Sequence, residues 1–172
     1  MSEELHPTQT DNEVHERIID WVEHLTTLTA VKNHESGKRL SGRYLLVNYV
    51  SGPNDVRFLP VDVEFEDQEN GDVHAVPVIE SEWKFSIHSY RGDDVTQPLR
   101  LLRSFAKMEG PQLKVDPRLS IFEVGDVTNL PEVIKNEPED RAHCMVKVRG
   151  YTRDGFLIDC IEESAPIIAT RI

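Results

Sequence analysis

The stretch Glu82-Trp83-Lys84-Phe85-Ser86-Ile87-His88-Ser89-Tyr90 places large apolar side chains at alternate positions, with polar side chains between them. A period of two is typical of a β-strand with one dry and one wet face. We expect this strand to begin near Val73 and to run to Tyr90. Its apolar residues Trp83, Phe85 and Ile87 are expected to lie in an ordinary hydrophobic core.

A partner strand is predicted just upstream, where Val61, Val63 and Phe65 alternate with acidic residues. This alternation again indicates one dry face and one wet face. Asn70-Gly71 then supplies the positive φ that a tight hairpin turn needs. Because proline lacks a backbone N–H, Pro77 is expected to mark a break or an edge position in the returning strand.

Nearer the N-terminus, an amphipathic helix is predicted from Asp11 to Thr29 or Ala30. Thr10 and Glu13 have the spacing of a capping box, which fixes its start. Residues 31–42 are polar and contain two glycines, so they are expected to form a loop. A strand follows over Tyr44–Val50 and is expected to end at the turn signal 51–54.

Downstream of the central strand, Asp93-Asp94 and an apolar stripe through Leu99 and Leu102 predict a second helix that Gly110-Pro111 stops. An acidic connector is expected over residues 132–140. The alternation on both sides of Arg153-Asp154-Gly155 predicts a terminal β-hairpin with its turn there. In either register of that hairpin, Cys144 and Cys160 lie too far apart or on opposite faces, so both are expected as reduced, structural residues.

Together these elements predict an α+β fold with a mainly antiparallel β-sheet flanked by two α-helices. The length of 172 residues suits one domain with a sizeable core. We expect that domain to span residues 11–172, after a flexible N-terminal arm over residues 1–10.

The composition excludes several classes of function. A formal charge of −12 without a Lys/Arg cluster argues against a protein that grips duplex DNA. No signal peptide and no long apolar run is present, so a product of the cytoplasm with no membrane partner is expected. Phosphate-binding, nucleophile-elbow and zinc motifs are missing. We therefore predict no enzyme, with no catalytic, cofactor-binding or metal-binding residues and no cofactor.

The charge is concentrated in one segment. Residues 61–82 hold eight acidic residues and no Lys or Arg. One interpretation is a solvated face, and the other is a surface that repels a polyanion or meets a basic partner. The candidate residues for such a surface are Asp62, Glu64, Glu66, Asp67, Glu69 and Asp72.

In chain order, these segments resemble the tail (neck) terminator proteins of tailed bacteriophages over roughly residues 13–168. The resemblance is carried by six pieces: the helix ending in Leu25-Thr26-Thr27-Leu28-Thr29-Ala30-Val31, the strand Gly42-Arg43-Tyr44-Leu45-Leu46-Val47-Asn48-Tyr49-Val50, the strand 82–90 leading into a helix, Val124-Gly125-Asp126-Val127-Thr128-Asn129-Leu130-Pro131, Glu139-Asp140-Arg141-Ala142-His143 before the last strands, and Ile161-Glu162 near the terminus. One departure is Leu40-Ser41-Gly42, where members often carry Pro-Gly.

The resemblance implies a virion protein whose subunits form a homohexameric ring. Such a ring caps the tail tube, ends its polymerisation and joins the tail to the neck or head-closure protein while DNA passes through. Six copies carry a formal charge of −72, so the acidic segment is expected to line the lumen or to face the adjoining tube ring. Arg141 is a candidate for binding a carboxylate of a neighbouring copy, and a solvated arginine is the alternative.

Two other functions remain open at this point. A head-closure or tail-completion protein of the neck is also a ring-forming subunit and differs in the neighbours that it touches. A small acidic ligand-binding domain or enzyme without a recognisable motif would be a monomer.

Overall fold

The computed structural model describes residues 10–32, 40–67, 73–108, 119–134, 137–153 and 156–158. Two helices and ten strands form within these residues. Their bounds are α1 Asp11–Thr26, β1 Ala30–Lys32, β2 Tyr44–Asp55, β3 Asp62–Asp67, β4 Val73–Tyr90, α2 Gln97–Phe105, β5 Ser120–Val124, β6 Thr128–Asn129, β7 Glu132–Ile134, β8 Glu137–Glu139, β9 Arg141–Arg153 and β10 Phe156–Ile158.

The main sheet is built around β4, which is 18 residues long. Its strand order is β1-β2-β4-β9-β5, with β3 and β10 also paired to β4 and β6 paired to β9. β1 and β2 run parallel, whereas the pairs that β4 and β9 make are antiparallel. The predicted α+β class with a mainly antiparallel sheet and two helices is thus confirmed for the described residues.

The hydrophobic core lies between the two helices and one face of the sheet. Trp83, Phe85 and Ile87 are fully buried there, as predicted. They pack with apolar residues of both helices and of β9, namely Val14, Ile18, Trp21, Val22, Leu99, Leu102, Cys144, Val146 and Val148. Burial of these side chains supplies most of the free energy that holds the helices on the sheet.

Helix α1 starts as predicted and ends earlier than predicted. Thr10 is the N-cap, and the reciprocal bonds of the capping box with Glu13 are both present. The helix stops at Thr26 because Thr27 adopts a left-handed conformation with φ of 57°. Ala30–Lys32 then joins the sheet as β1, so the predicted loop over residues 31–42 is wrong at its first two residues. Residues 33–39 lie outside the described part of the chain.

The predicted turn after Val50 is also wrong, because β2 continues to Asp55. Its register against β4 shifts between Tyr49 and Ser51 and again between Ser51 and Asn54. Such irregularities absorb extra residues while the strand goes on. Gly52, with φ of 137°, allows the backbone to pass directly over Trp83 at this point.

The predicted terminal hairpin does not form. Arg153 pairs with Val78 and Phe156 pairs with Ala75, so β10 continues β9 in the same direction along β4. β4 continues through Pro77, which pairs with Val63 of β3, so the expected break at Pro77 does not occur. Cys144 is a buried free thiol, and Cys160 lies outside the described residues.

Helix α2 follows its prediction at the N-terminus. The Asp94 carboxylate accepts hydrogen bonds from the backbone N–H groups of Thr96 and Gln97. The side-chain hydrogen bond from Thr96 is the largest cause of the lowered pKa of Asp94. The helix already ends at Phe105, and Gly110-Pro111 lies outside the described residues. Contrary to the predicted acidic connector, Glu132–Ile134 and Glu137–Glu139 pair as a two-stranded sheet.

Candidate assembly surface

The segment that carries the acidic residues forms a β-ribbon that continues the sheet beyond the helices. We call β3 together with residues 73–80 of β4 the acidic ribbon. Asp11, at the start of α1, accepts a 2.8 Å hydrogen bond from Trp83 Nε1, so α1 begins at the level of Trp83. Val73 lies ten residues further along β4, a distance of about 33 Å at 3.3 Å per residue. The predicted turn at Asn70-Gly71 lies outside the described residues.

One face of the acidic ribbon exposes the apolar side chains of β3. Val63 and Phe65 pair with Pro77 and Ala75, which places their side chains on the same face of the sheet as Trp83. Yet Val63 is 38% exposed and Phe65 is 66% exposed, so the prediction of a dry face is wrong here. The physical reason is that α1 begins at the level of Trp83 on the sheet and therefore does not cover Val63 and Phe65. The segment leading into β3 adds Phe58, Leu59 and Val61, which are also exposed.

The other face of the ribbon carries the acidic residues, and arginines from distant segments pair with them. The Arg153 guanidinium at the end of β9 donates hydrogen bonds to Glu64 and to Glu66. Glu80 forms an ion pair with Arg57 at 3.2 Å, and Glu82, just beyond the ribbon, forms one with Arg149 at 3.3 Å. The segment without Lys or Arg is therefore partly neutralised by residues that sheet pairing brings next to it.

The structure describes the remaining predicted acidic residues in less detail. Asp62 is exposed, and its Oδ1 accepts a 2.8 Å hydrogen bond from the N–H of Val63. Asp67 pairs with Val73 through its backbone, and its side chain is not described. Glu69 and Asp72 lie outside the described residues.

Arg141 lies far from the acidic ribbon. It pairs with Tyr90 at the opposite end of β4, twelve residues from Val78, or about 40 Å along the strand. Its guanidinium lies 2.9 Å from His88 Nδ1 and 5.3 Å from the centre of the Tyr90 ring. The structure thus does not bring Arg141 together with the acidic residues, and its binding of a neighbour's carboxylate stays a prediction.

The contacts of Arg141 belong to a histidine cluster that the sequence analysis missed. His88 is buried, hydrogen-bonds to Ser86 and stacks on His143 with ring centres 5.6 Å apart. The pKa of His88 is lowered to about 4. Burial is the main cause, and electrostatic interactions with Arg141 and with His143 contribute to the same shift. The sequence did hold a signal for this cluster: residues 86, 88 and 90 of β4 and residues 141 and 143 of β9 lie at every second position, which places each set on one face of its strand.

This cluster is poorly suited to catalysis. A serine beside a histidine resembles part of a nucleophilic triad, in which a carboxylate faces Nδ1 of the imidazole. Here a guanidinium faces Nδ1 of His88 instead, and a pKa of about 4 leaves the ring a weak base at neutral pH. Burial raises the pKa of Cys144 to about 12, so its thiol is a poor nucleophile as well.

The histidine cluster predicts a pH dependence of stability. An unfolded histidine takes up a proton near pH 6.5, whereas folded His88 does so only near pH 4. The unfolded state therefore binds more protons between these values, and the free energy of unfolding falls as the pH drops from about 6.5 to 4. We expect His88 to contribute up to about 3 kcal/mol to this loss.

Urea unfolding at a series of pH values between 7.5 and 4.5 measures this effect. His88→Gln is expected to flatten the pH dependence, and His24→Gln, on the exposed surface of α1, is the matched control and is expected to leave it unchanged. Equal slopes for His88→Gln and the wild-type chain would refute the assignment.

Among the described residues, no group of three or more His, Cys, Asp and Glu side chains is arranged to hold a metal ion. Neither described helix is long and apolar enough to cross a membrane.

Comparison with known proteins identifies the family. No curated protein matches the chain. The sequence does match the profile of the phage neck terminator proteins over residues 12–171, which is nearly its whole length. The chain therefore belongs to the phage neck terminator family and is a structural protein of the neck of a phage tail.

Proposed function

We propose that six copies of this chain form a closed ring on the end of the phage tail tube. The ring occludes the growing end of the tube, which stops further polymerisation, and presents the tail to the neck or head-closure protein. In this proposal residues 11–172 act as one domain. The observation that carries the proposal is the family match over residues 12–171.

The surface of the chain supports an assembly role. Exposed apolar side chains that lie close together mark sites of protein association more often than isolated ones do. The segment from Phe58 to Phe65 exposes five of them. Six copies related by one sixfold axis need a contact between two different surfaces, because a self-complementary contact already closes with two copies.

The acidic residues fit the passage of DNA in this proposal. With Asp62, Glu64 and Glu66 near the lumen, negative charge would keep phosphates from binding as the DNA slides through. Arg153 reduces that charge without removing it, because its one guanidinium faces two carboxylates.

Tail length is the test of this proposal. In infected cells that make no functional copy of the chain, we expect tail tubes well beyond the normal length and without attached heads, since nothing blocks the growing end. Supplying the wild-type chain from a plasmid is expected to restore uniform tails. Electron micrographs showing tails of normal length joined to heads in the absence of the chain would contradict the proposal.

A further inference from the structure

The acidic ribbon and helix α2 carry opposite charges. β3 holds four carboxylates in six residues and no Lys or Arg. Residues 97–108 hold Arg100, Arg103 and Lys107 and no Asp or Glu. Opposite charges on two surfaces favour their contact and set its orientation.

Both elements also expose apolar side chains. Phe65 is 66% exposed on the ribbon, and Met108, which follows Lys107 just past α2, is 55% exposed. We call Arg100, Arg103, Lys107 and Met108 the α2 surface. The side chains of Arg100 and Arg103 pair with Asp94 and Asp126 but stay 61% and 41% exposed, so they remain accessible.

Within one copy these two surfaces lie far apart. The α2 surface lies near Ser86 of β4. Arg103 forms an ion pair with Asp126, and the N–H of the adjacent Gly125 donates a hydrogen bond to the carbonyl of Met145, which lies opposite Ser86. Phe65 lies opposite Ala75 on the same strand. Eleven residues separate Ser86 from Ala75, about 36 Å along the strand, so the two surfaces meet only between copies.

We propose that the acidic ribbon of one copy docks on the α2 surface of the next copy. This inference rests on the proposed ring, for which it names the contact between subunits. Among the described strands β3 pairs only with β4, so it is an edge strand and side chains from both of its faces reach a partner that meets this edge. Val63 and Phe65 supply the apolar part of the contact beside Met108, and Asp62 and Glu66, on the other face of the ribbon, pair with Arg100 and Lys107. The two surfaces differ, so each copy uses its ribbon on one neighbour and its α2 surface on the other, which is the contact that a closed ring needs.

Cross-linking between two single-cysteine variants tests this contact. Phe65→Cys and Met108→Cys are each made together with Cys160→Ser, while the buried Cys144 stays in place. The variants are expressed alone or together in cells infected by phage that lacks a functional copy of the chain. Purified tails are then treated with a short bis-maleimide. We expect cross-linked dimers when both variants are present and at least tenfold fewer with either alone.

Each other outcome has its own meaning. Tails that hold six copies of the chain but yield no mixed dimer would overturn the docking contact and leave the proposed function intact. Dimers from Phe65→Cys alone, or a cross-link from Phe65→Cys to another tail protein, would overturn it as well. Tails of normal length that contain no copy of the chain would overturn both the contact and the proposed function.

A charge placed in the apolar contact gives a second test. Phe65→Asp is expected to reduce the yield of normal-length tails at least tenfold. Phe122→Asp is the matched control, because Phe122 is similarly exposed, at 53%, on the opposite edge of the sheet. Equal yields from the two variants, with equal melting temperatures, would overturn the docking contact.

Discussion

Replacing Trp83 with alanine is expected to lower the free energy of unfolding by about 3–5 kcal/mol. The indole is fully buried at the centre of the core. Its Nε1 also donates to Asp11 Oδ1 at 2.8 Å, which ties the start of α1 to β4. The substitution removes both the buried ring and this hydrogen bond, and it leaves a cavity that the surrounding side chains cannot fill.

Chemical denaturation followed by circular dichroism measures this loss. Trp83→Phe is the matched variant, since it keeps a buried aromatic ring and loses the hydrogen bond to Asp11. We expect it to cost about 1–2 kcal/mol, most of it from the lost bond and the smaller ring. Should alanine cost no more than phenylalanine at this position, Trp83 would not hold the role assigned to it.

The second large effect is expected for Gly52→Ala. A Cβ atom at Gly52 would lie 2.8 Å from Trp83 Cδ1 and 2.9 Å from Trp83 Cα, closer than a real Cβ contact allows. The φ of 137° is also a conformation that side chains other than glycine rarely adopt. Because the Trp83 backbone belongs to the central strand and cannot shift cheaply, we expect a loss of about 2–4 kcal/mol.

Gly42→Ala separates the two causes. Gly42 also has a positive φ, of 94°, but a Cβ there meets nothing within 4 Å. Its substitution is therefore expected to cost only the backbone strain, about 1 kcal/mol. If thermal and urea unfolding show equal losses for Gly42→Ala and Gly52→Ala, the close approach of Gly52 to Trp83 is unimportant.

The sequence predicts the parts of the fold that depend on local patterns. The alternation through Trp83, Phe85 and Ile87 predicted a strand with one buried face. The predicted bounds of that strand, Val73 to Tyr90, are those of β4. The capping box at Thr10 and Glu13 marked the start of α1 because its two bonds join residues only three apart.

The errors come from contacts between distant segments. Arg153-Asp154-Gly155 has the composition of a turn. However, β4 is long enough to pair both with the residues before this segment and with those after it, so β10 continues in the direction of β9. The alternation of Val63 and Phe65 predicts a dry face, although only the position of α1 decides whether something covers it.

The candidate surface was predictable in part. Its acidic residues are adjacent in sequence, so the charge of the ribbon could be read directly. The Arg153 guanidinium that faces Glu64 and Glu66 comes from almost ninety residues away and follows only from strand register. Arg141 and the acidic residues are both predicted to lie on surfaces that contact neighbouring subunits. The register of β4 and β9 places Arg141 at the opposite end of β4 from the ribbon.

The proposed ring at the end of the tail tube should be visible in the virion. A cryo-electron microscopy map of the intact neck, taken from virions of the phage that encodes the chain, can show whether this chain forms it. We expect six copies in one closed ring between the last ring of the tube and the head connector. A different copy number, or density for the chain elsewhere in the virion, would contradict it.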